Sequence, residues 1–180
     1  MARDLTLRGT LTAEMNLGTC GEALALSYES PDRTKGWKVT GAWLWLADIE
    51  SQNTITANNN PVLFGSLSTD QLPAPVRYSQ ISSVEDNRLF GWTSVHLRGF
   101  DTNDYFLGHA TVAADQSFLL DLDRIVTNEL YVYAGIMANG GFTNPLPVKI
   151  NYLIALEEVK ITPSQSVLQQ LKGIGQNIDN

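Results

Sequence analysis

Leu130-Tyr131-Val132-Tyr133-Ala134-Gly135-Ile136-Met137, followed after a break by Val148-Lys149-Ile150-Asn151-Tyr152-Leu153-Ile154-Ala155-Leu156-Glu157-Glu158-Val159-Lys160-Ile161, decides the fold of this chain. The first run is dense in aromatic and β-branched residues, which fit a pleated surface better than a helix face, and it predicts a core strand. The breakers Asn139-Gly140-Gly141 and Asn144-Pro145-Leu146-Pro147 separate it from the second run. There Val148, Ile150, Tyr152, Ile154 and Leu156 alternate with Lys149, Asn151, Leu153, Ala155 and Glu157. One strongly apolar face and one mixed face describe an antiparallel strand between core and solvent, long enough to span a whole sandwich.

The same period of two recurs upstream. Leu5, Leu7, Leu11, Ala13, Met15 and Leu17 fall on odd positions with polar residues between them, which predicts a long first strand. Glu22 to Tyr28 reads as a short strand closed by the turn Ser30-Pro31-Asp32-Arg33. In Gly36 to Ala47, strict alternation places Trp37, Val39, Trp43, Trp45 and Ala47 on one side and Ala42, Leu44 and Leu46 on the other. A row of tryptophans could stack sugars or bases, but apolar residues on both faces favour a strand buried in a core. Asp48 to Asn60 is a polar loop, Pro61 to Leu67 a strand, and Thr69 to Gln80 a long loop. Arg88 to Arg98 reads as a strand with Phe90, Trp92, Ser94 and His96 sharing a face. Tyr105 to Val112 is a further short strand, and Ser117 to Val126 leads into the organising pair. The count is about eight to ten strands with almost no helical periodicity before residue 162.

The tail changes character. Thr162-Pro163-Ser164-Gln165 combines an N-cap threonine, a proline at the first helical position and a glutamine three residues after the cap, the pattern of a capping box. Val167, Leu168, Leu171, Ile174 and Ile178 follow at helical spacing, while Gly173 and Gly175 weaken the second half. The chain therefore divides into a sandwich over 1–162 and an amphipathic helix or arm over 163–180. Val167, Leu168, Leu171 and Ile174 are the candidates for contact with a neighbouring subunit.

At 180 residues and 43% hydrophobic, the chain can bury one sizeable core, and no break in composition marks a second domain. The single cysteine, Cys20, cannot close an internal disulfide, and its setting Gly18-Thr19-Cys20-Gly21 reads as a turn. A nucleophilic role would require His96 or His109 beside it. No stretch reaches the roughly 18 apolar residues of a membrane span, and Met1 to Thr6 lacks the apolar run of a signal peptide. These features predict a protein made in a cytoplasm, or released from one by lysis or assembly. The net charge of −7 comes with scattered basic residues, so the cationic footprint of tight nucleic-acid binding is missing and direct binding is expected to be weak or absent.

Chemical constellations are thin. Two histidines and one cysteine do not build the usual zinc sets, and Asp101 to Asp104 and the pair Asp121 and Asp123 lack the spacing and glycine of a calcium loop. Gly140-Gly141 is followed by no Lys-Ser/Thr, and no nucleophile elbow occurs. The expectation is an all-β, antiparallel two-sheet jelly-roll sandwich with a short C-terminal helix or arm, no enzymatic activity, no cofactor and no metal.

Gly36-Trp37-Lys38-Val39, Asp86-Asn87-Arg88-Leu89-Phe90-Gly91-Trp92 and the run Val148 to Val159 resemble coat proteins of small icosahedral viruses with a single jelly roll, a likeness spanning residues 20–162. The resemblance implies a structural role. Many copies pack into a closed shell, the protein is made in the host cytoplasm and resides in the virion, and its partners are copies of itself together with other virion proteins. Many such proteins carry an arginine-rich N-terminal arm, whereas Met1 to Lys38 here holds five basic and five acidic residues. That departure implies genome handling by counterions or another protein, or a minor, vertex or decoration role. The alternative is a trimeric jelly-roll head that binds a receptor or carbohydrate, with Asn103, Asp104 and Tyr105 as ligand-loop candidates.

Overall fold

The computed structural model describes residues 3–14, 18–28, 34–47, 62–96, 117–137 and 147–174. Nine strands and two helices occupy them: β1 Asp4–Glu14, β2 Gly21–Ser27, β3 Lys35–Leu46, β4 Val62–Ser68, α1 Tyr78–Ile81, β5 Leu89–His96, β6 Leu119–Leu120, β7 Ile125–Val126, β8 Glu129–Met137, β9 Pro147–Lys160 and α2 Pro163–Ile174. The strands form two antiparallel sheets in the orders β1-β9-β3-β7 and β2-β8-β4-β5-β6. Consecutive strands cross repeatedly from one sheet to the other, and the eight strands without β6 follow the jelly-roll order, so the expected fold is present. β6 is a two-residue extension on the edge of β5.

β9 sits between β1 and β3, and its alternation is the one the sequence predicts. Val148, Ile150, Ile154 and Leu156 are buried between the sheets, and Lys149 and Glu157 are exposed. β8 is buried on both faces for a different reason on each side. Leu130, Val132, Ala134 and Ile136 enter the core between the sheets, while Tyr131 and Tyr133 belong to a second apolar cluster with Phe64, Leu72, Val76, Ile81 and Leu89. That second cluster lies under the connection from β4 to β5, which includes α1. Several hydrogen bonds hold the connection down: Leu72 N–H donates to Tyr133 Oη at 2.8 Å, Cys20 N–H to the Val76 carbonyl at 2.9 Å and Tyr78 N–H to the Gly18 carbonyl at 2.8 Å. The long loop expected over Thr69 to Gln80 thus ends in a helical turn that the sequence pattern had not indicated. Ser117 to Val126, the lead into the organising pair, holds two short strands joined by a turn at Leu122 and Asp123. The expected strand Tyr105 to Val112 and the loops 48–60 and 138–146 lie outside the described residues.

Two bulges overturn two face assignments. In β3 the pairing with β9 slips between Val39 and Gly41. Trp37 and Val39 point into the core before the slip, and Ala42, Leu44 and Leu46 do so after it. Trp43 and Trp45 therefore lie on the outer face, half-buried, and three tryptophans do not share one side. A second slip, between Leu67 and Ser68, places Phe90 in the core, whereas Trp92 packs with the outer cluster. An extra residue in one strand inverts the face of everything beyond it, which period-two reading cannot detect.

Candidate functional surfaces

α2 begins as the sequence predicts. Gln165 Oε1 accepts from Thr162 N–H at 2.9 Å and Thr162 Oγ1 accepts from Gln165 N–H at 3.2 Å, closing the capping box. Its seating is unusual, because the described side chains turned to the sandwich are polar. Ser166 is 2% exposed, and Gln169 Nε2 donates to the Asp123 carbonyl at 3.4 Å. Val167, Leu168 and Leu171 are 43%, 56% and 55% exposed on the other side. These three candidates share one helix face and have no full apolar cover from their own domain. Ile174 falls within α2, but its side chain is outside the described residues. Leu122, beside the Asp123 anchor, is also exposed.

The turn that anchors α2 leads directly into a buried arginine. Arg124 is 5% exposed, its Nη2 donates to Thr69 Oγ1 at 2.6 Å, and its Nε is buried with no hydrogen-bond partner. Burial pushes this guanidinium down from its ordinary value, and Asp70, Asp121 and Asp86 oppose that shift. Nearby, Arg88 Nη2 and Nε donate to Asp86 at 2.6 and 2.9 Å. Burial alone would raise the Asp86 carboxyl, but the hydrogen bonds and charge of Arg88 outweigh it and hold the carboxyl below its usual range. Asp121 Oδ1 accepts from Asp123 N–H at 3.1 Å, so this carboxylate closes its own turn.

On the outer face of the second sheet, a cleft of about 280 Å³ opens between β4, β5 and α1. Phe64, Tyr78, Ile81 and Trp92 form its apolar wall, and Val84 and Leu119, both 75% exposed, stand at the rim. Cys20 packs against the same cluster, and burial pushes its thiol up to about 12, which leaves it protonated and poorly nucleophilic near neutrality. His96 is exposed at the end of β5, while His109 lies outside the described residues. Asn103, Asp104 and Tyr105, the ligand-loop candidates, also lie outside them. Among the described residues no group of three or more His, Cys, Asp or Glu is placed to hold a metal ion, and no helix is long and apolar enough to cross a membrane. No protein-family model matches the chain, and no curated protein matches it.

Proposed function

We propose that this protein is a structural subunit that assembles through many copies into a closed, icosahedral viral shell, with α2 as one of its subunit contacts. The observation that carries this reading is the inverted seating of α2, which turns Val167, Leu168 and Leu171 outward and Ser166 inward. Burying the half-exposed part of three such side chains contributes about 3 kcal/mol, whereas a micromolar pair requires about 8 kcal/mol. One such contact is too weak to make a lasting dimer, but repeated around a closed assembly it adds to many others. The jelly roll supplies the rigid wedge that such repetition needs, and the acidic composition is in keeping with an assembly held by protein contacts rather than by tight nucleic-acid binding.

A trimeric head that binds a ligand is the second reading, and the aromatic-walled cleft beside α1 favours it. Particle size separates the two. Light scattering and negative-stain imaging of the full-length protein, near neutral pH and across a range of salt, should show uniform closed particles. Monomers or trimers under every condition would overturn self-assembly by this chain alone.

A further inference from the structure

The outer face of the β1-β9-β3 sheet carries an ordered set of side chains to which neither reading assigns a role. Its central rungs are Arg8–Leu153–Trp43 and Thr10–Asn151–Trp45, with Thr12 opposite Lys149 on the next. Trp43 lies across Gly41, where an added Cβ would meet the indole carbons Cζ3 and Cζ2 at 3.0 and 3.1 Å and would collide with Cη2. The missing side chain lets the ring approach the backbone of its own strand, so the indole covers the sheet surface as a half-buried platform. Asn151 Oδ1 accepts from Thr10 Oγ1 at 2.6 Å, which fixes the amide beside this platform.

Charge is sorted along the same face. From Thr6 to Thr12 the rungs hold Arg8 and Lys149, both exposed, and no carboxylate, while Asp4 and Glu157 lie beyond one end and Glu14 beyond the other. In a chain of net charge −7, the exposed Arg8 sets a positive charge on the same face as an aromatic platform. Arg8 and Trp43 stand two strand spacings apart, about 10 Å between backbones, a gap that an arginine side chain and one sugar ring can bridge.

We propose that this face binds a carboxylate-bearing saccharide, with a pyranose ring against the Trp43 indole and its carboxylate on the Arg8 guanidinium. The apolar CH face of a pyranose matches a broad indole, and the planar fork of a guanidinium matches a carboxylate. Thr10 and Asn151 supply hydroxyl and amide groups for the ring hydroxyls. A nucleic-acid strand suits the site less well, because so few cations neutralise few phosphates, whereas a single guanidinium matches a single carboxylate. The site stands or falls independently of shell formation.

The test is calorimetric titration of the full-length protein at low salt with a hyaluronan hexasaccharide, trigalacturonate and sialyllactose. Maltohexaose serves as the neutral comparator and a ten-residue oligothymidylate as the polyphosphate one. We expect saturable binding of at least one acidic saccharide, weakened about tenfold by Arg8→Gln and about tenfold by Trp43→Ala. Arg8 is exposed, so its variant should melt at the wild-type temperature and reads the contact without loss of fold. Absence of saturation by all three acidic saccharides at millimolar concentration would overturn the proposal. So would equal binding of maltohexaose that Arg8→Gln leaves unchanged, or tighter, salt-sensitive binding of the oligothymidylate.

Discussion

Asp86 and Arg88 show how much a single pair of side chains can hold. Their side chains are 16% and 14% exposed, and the guanidinium grips the carboxylate beside the Asp121 turn that carries Arg124. Because the folded carboxyl titrates below its ordinary value near 3.8, its contribution is present above that value and is lost as pH falls through the depressed one. Asp86→Asn should therefore lower stability by about 1–2 kcal/mol at neutral pH, measured by urea unfolding. The gap from wild type should begin to narrow only below about pH 4 and vanish once pH has fallen through the depressed folded value; a gap that stays constant throughout acid titration would remove the ion pair as its cause. Tyr133 offers a second case, fully buried with its hydroxyl accepting from Leu72 N–H. Tyr133→Phe leaves that amide without its partner and should cost about 1–2 kcal/mol in the same assay, and a neutral result would show that the loop re-pairs. Neither role was legible beforehand. Asp86-Asn87-Arg88 lies within a strand-leading string that gives no sign that residues two apart form an ion pair, and Tyr133 reads as a strand aromatic with nothing to say what its hydroxyl meets.

Elements were legible in proportion to the regularity of their period. β1 keeps an unbroken alternation, and β9 keeps one from Pro147 to Glu157, and their faces follow from it residue by residue. β3 and β5 do not, since the residues around Thr40 and Phe90 belong to bulges; the strand-interior glycines beside them, Gly41 and Gly91, are the one mark of this in the sequence, and strict alternation passes over it. α1 was missed because four residues are too few to show a helical period, and Gln80 reaches back to Arg77 N–H without an apolar stripe to announce it. α2 was legible from its capping box, but the direction of its apolar face was not, because amphipathic spacing identifies a face without saying what meets it. Thr162→Ala should weaken the helix by about 1 kcal/mol, seen as fraying in hydrogen exchange of Ser164 to Ser166 with the sandwich unaffected. The double change Leu168→Ser and Leu171→Ser should leave unfolding within about 0.5 kcal/mol of wild type. It should also abolish large particles; particles of normal size and yield would remove α2 from the subunit contact.

For the molecule as a whole, the strand order ties distant parts of the chain together, and most of its residue contacts are long-range. Asp4 pairs with Glu157 and Glu14 with Pro147, so the first sheet is closed by strands from opposite ends of the described chain. The two-sheet class could be inferred from strand spacing and turn residues, whereas the position of β9 between β1 and β3 could not, because register depends on contacts between residues far apart in sequence. Such a topology should refold on the millisecond-to-second scale, and stopped-flow tryptophan fluorescence showing microsecond completion would contradict it. The central placement of β9 also has a consequence for synthesis on the ribosome. Until residues 147–160 have emerged, β1 and β3 have no common neighbour, and each presents an unsatisfied row of backbone donors and acceptors to any nascent copy nearby. A cell that makes this chain in quantity faces its greatest risk of tangled chains before β9 arrives, so slower initiation or a bound chaperone should raise the soluble yield more than any change to the finished surface.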